Sequence, residues 1–175
     1  APLRVGLRPA GGRRRRRRAE RGGGQGGARA QRAARCVAPS PRRAVSGLDS
    51  ARVAMILAVL ERRCGLKVAR SEVYAATVGG MKTSEPAADL ALAAAITSAV
   101  TDVPLPPGVI ILGEVGLAGE VRRVSGLGRR LAEAARLGFT HAITPEHDDA
   151  VPAGMTNKTV TNLGDALQSV RVRAR

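Results

Sequence analysis

The sequence predicts an α+β domain with a mixed sheet, preceded by a basic leader that is disordered. From Ser46 onward, apolar patterns typical of helices alternate with patterns typical of strands. The short turn Gly116–Gly119 suits a hairpin, so at least one strand pair is antiparallel. Residues 1–44 hold too little apolar surface to offset the entropy of ordering them. We therefore expect a leader over 1–44 and a folded domain over 45–175.

The basic charge of the chain is concentrated in the leader. Residues 1–45 contain 14 Arg, including the run Arg13–Arg18, and one acid, Glu20, for a net charge of +13. Residues 46–175 carry a net charge of only +2. Two interpretations stay open for the leader: a nucleic-acid-binding arm, or a solvated tail that is not native to the domain, such as a truncated or misframed gene end.

Composition excludes several classes of protein. The two cysteines, Cys36 and Cys64, are too few for a disulfide framework or a four-cysteine zinc site. No apolar run has the length of a membrane span, and no hydrophobic signal core follows the first basic residues. These features predict a cytoplasmic protein with reduced thiols. The chain begins with Ala1, which indicates a processed product or a fragment.

Four helices are predicted after the leader. Asp49 or Ser50 begins the first helix, whose apolar residues recur at helical spacing until Gly65 ends it. The second begins at 84–86 and continues through Val100, since Pro is tolerated in a first turn. The others span about 127–137, followed by a capping Gly138, and 163–170.

Short apolar runs between the helices predict the strands, which are Val73–Val78, Val109–Leu112, Glu120–Val124, Ala142–Thr144 and Lys158–Thr161. The turn Gly116–Gly119 is expected to join the second and third of these as a hairpin.

Three stretches in register resemble the C-terminal domain of the RadA/Sms family of bacterial DNA-repair proteins. They are Ser46-Gly47-Leu48-Asp49-Ser50 with the helix after it, Val78-Gly79-Gly80 through Glu85-Pro86-Ala87-Ala88-Asp89-Leu90, and Gly113-Glu114-Val115-Gly116-Leu117-Ala118-Gly119-Glu120-Val121-Arg122. The resemblance covers about residues 37–170. It implies a Lon-protease-like domain with the fold of ribosomal protein S5 domain 2.

The same resemblance implies that the proteolytic dyad is missing. Lon carries its nucleophilic serine at a position that corresponds to Ala87 and its lysine at a position that corresponds to Gly128. A serine–lysine dyad needs a hydroxyl that attacks and an amine that takes its proton. A methyl group and a hydrogen supply neither, so we expect no catalytic residue and no enzyme activity from this chain alone.

Other candidate sites have simpler interpretations. Ser84 and Ser125 are expected to cap helices rather than to replace the nucleophile. Glu85 and Asp89 could form a paired-carboxylate site, and Glu114 and Glu120 bracket the turn Gly116–Gly119 and could be catalytic, but structural roles are favoured for all four. Four residues are of types that bind metals, yet no further ligand accompanies them, so no metal site is predicted; they are His141, His147, Asp148 and Asp149.

Two pairs of arginines are the candidates for DNA contacts. Arg122 and Arg123 follow the Gly116–Gly119 turn, while Arg129 and Arg130 lie in the first turns of a helix. Cations oppose the helix dipole there, which favours an external role. Phosphate binding and an ordinary solvated face both stay open as interpretations.

The family resemblance also implies partners. DNA, a homo-oligomeric ring and a recombinase are expected as partners, and no membrane is expected. ATP, magnesium and zinc belong to family domains that this chain lacks, because it contains no G-x-x-x-x-G-K-[ST] motif. Two alternatives remain: an ATP-dependent serine peptidase, and the Lon-like domain of a magnesium-chelatase-related ATPase.

Overall fold

The computed structural model describes residues 3–9, 42–68 and 71–171, with the backbone alone described for residues 3–9 and 171. Four α-helices lie within these residues, with the bounds α1 Ser50–Cys64, α2 Asp89–Thr101, α3 Leu127–Arg136 and α4 Leu163–Arg171. The strands in the same ranges are β1 Leu3–Pro9, β2 Arg43–Ser46, β3 Ser71–Thr77, β4 Val109–Ile111, β5 Glu114–Val115, β6 Val121–Arg122, β7 His141–Thr144 and β8 Thr156–Thr159.

The described strands divide among three sheets. In the first, β3 lies between β1, which is antiparallel to it, and β2, which is parallel. In the second, β4, β7 and β8 lie side by side and are all parallel. Strands β5 and β6 form an antiparallel hairpin. The α+β class with a mixed sheet is therefore confirmed.

Strand β1 was not predicted, because Leu3–Pro9 falls in the leader that we expected to be disordered. Its apolar residues alternate, which is the period of a strand. Strand β2 begins at Arg43, two residues before the predicted domain boundary. The run Arg13–Arg18 lies outside the described residues, as does the rest of the leader between residues 10 and 41.

The sheet β4-β7-β8 separates two apolar clusters. Ile111 and Ile143 belong to the larger cluster, which also contains buried residues of α1, α2 and α4. Ile110 and Ala142, one residue away on the same strands, belong to the smaller cluster with Leu131 of α3. Because successive strand residues face opposite sides, α3 covers one face of this sheet and the other helices cover the opposite face.

Helix α1 begins and ends at the predicted residues. The Oδ1 of Asp49 accepts hydrogen bonds from the backbone N–H groups of Ala51 at 2.8 Å and Arg52 at 3.4 Å. Gly65 ends the helix in the left-handed conformation, with φ of 67°. Such a backbone favours glycine because it has no Cβ.

The predicted serine caps are wrong. Helix α2 follows a short 3-10 turn, Pro86–Ala88, and α3 follows Gly126, with no side-chain cap at either start. Backbone groups of a neighbouring loop replace Ser84: Gly113 donates to the carbonyl of Ala87 and accepts from the N–H of Leu90, each at 3.1 Å. Helix ends need partners, but these need not be side chains.

Two strand assignments also need correction. The hairpin joins Glu114–Val115 to Val121–Arg122, whereas β4 runs parallel to β7 in another sheet. Gly113, with φ of 157°, separates β4 from β5 and lets the chain change sheets. Strand β8 begins at Thr156, two residues before the predicted Lys158, although its residues are mostly exposed and polar. Backbone pairing with β7 fixes this strand, and an apolar pattern cannot reveal that.

A buried ion pair joins α1 to α2. The guanidinium of Arg52 donates to both carboxylate oxygens of Asp89, each at 2.7 Å, and the Asp89 side chain is only 3% exposed. The N–H of Val115 also donates to Asp89, at 3.3 Å. The hydrogen bonds from Arg52 to Asp89 and the negative charge of Asp89 raise the pKa of Arg52.

The substitution Gly47→Ala is expected to destabilise the fold far more than Gly65→Ala. Both glycines have positive φ, 75° and 67°. A Cβ on Gly47 would lie 2.0 Å from Oγ1 of Thr77 and 2.6 Å from the carbonyl of Met81, whereas a Cβ on Gly65 would contact nothing within 4 Å. We expect about 1 kcal/mol for Gly65→Ala and several times more for Gly47→Ala in urea unfolding; equal losses would contradict this steric argument.

The substitution Arg52→Ala is expected to lower the free energy of unfolding by about 2–3 kcal/mol, since it leaves the Asp89 carboxylate buried without its partner. The value is at the low end for such pairs because the Arg52 side chain is 28% exposed. Arg136→Ala is the matched control, since Arg136 pairs with Glu133 on the surface. Chemical denaturation of both variants measures the difference, and similar losses would refute the role of burial.

Candidate functional site

A groove of about 1280 Å³ runs between α2 and α3, with β4 along its floor. One wall is formed by Ala88 of the 3-10 turn and by a face of α2 made of small and apolar residues: Ala91, Leu92 and Ala95. The other wall is the face of α3 that includes Arg130, Glu133 and Ala134, together with Leu137 just after the helix. The groove continues past the 3-10 turn to Asp49 and Arg52 at the start of α1. It is larger than the cavity of about 500 Å³ that lies between β7, β8 and α4.

Ala87, the position that the resemblance assigns to the nucleophilic serine of Lon, lies in the wall of this groove. Ala87 lies in the 3-10 turn, and only 2% of its surface is exposed. Its carbonyl accepts the hydrogen bond from Gly113 at the end of β4. The side chain that the groove meets at this point is a methyl group, which cannot attack a carbonyl carbon.

The carboxylate of Asp149 lies beside Gly128, the position that the resemblance assigns to the lysine of Lon. Gly128 is the second residue of α3, and a Cβ placed on it would lie 2.9 Å from Oδ1 of Asp149 and 3.2 Å from its Cβ. Asp149 thus occupies the space into which a side chain from position 128 would extend. Its negative charge near the first turn of α3 is favoured by the helix dipole.

An ion pair connects the two segments that carry these positions. An NH2 group of Arg130 lies 3.3 Å from Oε1 of Glu85, and the Nε of Arg130 donates to the carbonyl of Ser125 at 3.1 Å. Glu85 comes two residues before Ala87, and Arg130 comes two residues after Gly128. The polar end of the groove therefore holds an ion pair between Glu85 and Arg130.

The four carboxylates considered as possible acid/base residues have arginine partners. Asp89 faces Arg52, whereas Glu85 faces Arg130. In the hairpin, Glu120 binds Arg122, and its carboxylate accepts from the N–H of Ala118 at 3.0 Å. Hydrogen bonds from its own backbone N–H and from Arg122 lower the pKa of Glu120. The ionised form of Glu120 is therefore favoured, and its carboxylate stabilises the turn Gly116–Gly119.

The space around the two glycines of the hairpin turn explains why these positions carry no side chain. Gly116 and Gly119 are both buried, and a Cβ on Gly116 would lie 2.0 Å from the carboxylate of Glu120. Gly79 and Gly80 differ, because no atom lies within 4 Å of a Cβ placed on either residue. Their positive φ values, 79° and 70°, explain their need for glycine.

Three of the four candidate DNA-binding arginines already have acidic partners. Arg122 binds Glu120 and lies 3.9 Å from Glu114, Arg123 lies 3.0 Å from Asp148, and Arg130 lies 3.3 Å from Glu85. Arg129 is exposed and lines the groove, and it has no hydrogen bond or ion pair with the described part of the chain. The arrangement singles out Arg129 as the most available of the four.

His147, in the loop that follows β7, belongs to a packed cluster of polar side chains. The side chain of His147 is 2% exposed; its Nε2 lies 2.8 Å from the amide nitrogen of Asn157, and its Nδ1 lies 3.8 Å from Oδ2 of Asp149. His141 is separate and contacts the hydroxyl of Thr140. Across the described ranges there is no group of three or more metal-ligating side chains.

The sequence did not reveal the groove or the position of Asp149. The groove depends on which strand of a sheet lies at its edge, and a single sequence does not specify this order. Asp149 was noted only as a residue type that binds metals. A signal was nevertheless present, because a glycine at position 128 leaves room for a neighbouring side chain in the first turn of a helix.

No helix in the described residues is both long enough and apolar enough to span a membrane. Residues 50–170 match the family model of the Lon protease (S16) C-terminal proteolytic domain.

Several curated proteins are similar to this chain. The DNA repair protein RadA of Mycobacterium tuberculosis (strain H37Rv) is 54% identical over 129 residues, which cover 74% of this chain and 27% of that protein. RadA of Mycolicibacterium smegmatis is 53% identical over 131 residues, covering 75% and 28%. RadA of Streptococcus pyogenes serotype M1 is 44% identical over 132 residues, covering 74% and 29%.

The chain thus spans less than a third of the length of these relatives. The family match covers more than half of the chain, and the three relatives named above are RadA proteins. The chain belongs to the Lon C-terminal domain family, as a Lon-like C-terminal domain of the RadA type.

Proposed function

We propose that this chain is a non-proteolytic Lon-like domain that contributes DNA contacts and ring assembly to a RadA-type DNA repair protein. One observation carries the non-proteolytic part: Ala87 offers a methyl group, and Asp149 fills the space beside Gly128. Acyl transfer to a serine needs a hydroxyl and a base within hydrogen-bond reach. Neither group stands at these positions.

The proposal places nucleotide and metal chemistry outside this chain. ATP, magnesium and zinc would be bound by other domains of a full-length protein, since no phosphate-binding loop motif occurs in the sequence. The ring would form through heterologous contacts closed by rotation, and the protein would act in the cytoplasm with a recombinase as a partner. These statements rest on the family to which the chain belongs.

The DNA-binding part rests on Arg129. Phosphate contacts by Arg122, Arg123 or Arg130 would compete with the carboxylates that these side chains already bind. Arg129 has no such competitor and is exposed. A free guanidinium can release a counterion from DNA without first losing an ion pair.

The first alternative is a serine peptidase, and the family match to a proteolytic domain is the observation in its favour. Fold similarity alone does not establish activity. The second alternative, a Lon-like domain of a magnesium-chelatase-related ATPase, has no support among the RadA matches.

We expect the full chain to release no fluorescence from labelled casein, and Ala87→Ser alone to release none, because position 128 still lacks an amine. Ser84→Ala and Ser125→Ala serve as matched variants, since these two hydroxyls flank the dyad positions. Turnover by the wild-type chain that a serine-directed reagent abolishes would refute the proposal. Loss of that turnover in one of the two variants would identify a relocated nucleophile.

We expect Arg129→Ala to weaken the salt dependence of DNA binding. The slope of the logarithm of the association constant against the logarithm of the salt concentration should decrease in magnitude by about 0.9, the value for one lost phosphate contact on duplex DNA. Arg136→Ala is the control on the same helix, since Arg136 is held by Glu133, and it should leave the slope unchanged. Fluorescence anisotropy with a labelled duplex at several salt concentrations gives both slopes.

A separate variant tests whether the basic leader, rather than the folded domain, binds the DNA. Because Leu3–Pro9 form β1, we would replace Arg13–Arg18 with serine rather than delete residues 1–44. If this replacement abolishes all DNA binding and Arg129→Ala changes nothing, the folded domain contacts no DNA and this part of the proposal fails.

A further inference from the structure

We propose that a second cleft, which lies between the sheet β4-β7-β8 and α4, binds a small zwitterion, namely an α-amino acid with an apolar side chain. The cleft has a volume of about 500 Å³, and of its lining residues only Val109 also lines the groove that contains Ala87. We call it the α4 cleft. Such a site would be additional to DNA contacts and ring assembly and independent of both.

The floor of the α4 cleft is apolar. Ile143 of β7 and Val160, just after β8, line it, and both belong to the larger apolar cluster. His141 lies two residues before Ile143 on the same strand, so the two side chains face the same side of the sheet. Lys158 is the partner of Ile143 on β8 and also lines the cleft. The basic side chains of β7 and β8 therefore stand beside an apolar surface that faces α4.

The two sides of the α4 cleft carry opposite charges that do not form an ion pair. Lys158 lies on the strand side and Asp165 on the helix side. Within the described part of the chain, the ammonium of Lys158 has no ion pair or hydrogen bond, and the carboxylate of Asp165 has no basic partner. Opposite charges that face each other across a cleft favour a bound molecule with the complementary pair of charges.

Both sides of the cleft have polar atoms that a ligand can use. Asn162 donates to Oδ2 of Asp165 at 2.7 Å, which leaves Oδ1 for an ammonium group. On the strand side, Nδ1 of His141 contacts the hydroxyl of Thr140, which leaves Nε2 for a carboxylate. When that hydroxyl donates to Nδ1, Nε2 carries the ring proton and is a donor. Lys158 lies one strand across and two residues along from His141, about 8 Å away by strand geometry, so its long side chain can reach the same carboxylate.

These charges favour a zwitterion over a simple anion or a simple amine. A phosphate or a carboxylate that binds Lys158 would also meet the negative charge of Asp165, and an amine that binds Asp165 would meet Lys158. A molecule with one carboxylate and one ammonium satisfies both sides. Its apolar side chain can cover Ile143 and Val160 on the floor. The volume of the α4 cleft lies within the range of about 300–1,000 Å³ that is typical of a small-molecule site.

The test uses the full chain and L-phenylalanine, monitored by isothermal titration calorimetry. Three analogues each lack one feature of the ligand: phenylalaninamide lacks the carboxylate, 3-phenylpropanoate lacks the ammonium, and glycine lacks the apolar side chain. We expect saturable binding of L-phenylalanine. Each analogue should bind about tenfold or more weakly, because a hydrogen bond to a charged group or the apolar contact is lost.

Two variants test the two charges separately. Lys158→Met keeps the stem of the side chain and removes the ammonium, so it should bind L-phenylalanine and the amide equally while still discriminating against 3-phenylpropanoate. Asp165→Asn should show the reverse pattern, with discrimination against the amide alone. Lys67→Met is the matched control, since Lys67 is exposed and lies outside the α4 cleft, and it should leave all affinities unchanged.

A third variant tests the location. Gln168→Trp places a large side chain in the α4 cleft from an exposed position on α4 and should abolish binding, whereas Ala132→Trp, on an exposed part of α3, should not. Thermal melts of all variants establish that they are folded.

No saturable binding of L-phenylalanine, equal affinity for either single-charge analogue, or unchanged binding to Gln168→Trp would each overturn the inference. Tighter binding of 3-phenylpropanoate than of L-phenylalanine would identify an anion site and would also overturn it, as would an equal loss of affinity in Lys67→Met and Lys158→Met. The casein and DNA measurements do not involve this cleft, so the failure of this site and the failure of the proposed function are distinguishable.

Discussion

The buried carboxylate of Asp89 holds three parts of the fold in one arrangement. This carboxylate accepts two hydrogen bonds from Arg52 on α1 and one from the N–H of Val115 on β5. Asp89 is also the first residue of α2. A nearly dry carboxylate is stable only when its lone pairs are used in this way. The direction of α2, and with it one wall of the groove, follows from this contact. The hairpin β5-β6 is fixed at the same point.

A second constraint comes from Gly113, whose backbone meets the 3-10 turn before α2. Its N–H and carbonyl bond to Ala87 and Leu90, so the end of β4 and the start of α2 are held together. A Cβ at this residue would lie 2.8 Å from Cγ1 of Val121, which leaves no space for a side chain. The end of the groove nearest Ala87 is therefore held in place by backbone hydrogen bonds.

Local signals in the sequence predicted the helices well and the strand pairing poorly. Asp49 and Gly65 identify α1 because caps act within a few residues. The partner of β4 could not be found in this way, since β7 lies more than 25 residues away and the nearer strand Val121–Arg122 looks equally suitable. For the site, the resemblance located Ala87 and Gly128, but the ion pairs of Arg122, Arg123 and Arg130 depend on tertiary contacts that no local pattern encodes.

The residues at positions 87 and 128 limit the chemistry that the groove can carry out. Ala87 presents a methyl group and Gly128 has no side chain, so neither supplies a nucleophile or a base. The groove nevertheless has methyl groups on its α2 wall and the exposed guanidinium of Arg129, which has no ion pair within the described residues. Side chains of this kind can hold a bound group without reacting with it, so the geometry of the groove is compatible with binding alone.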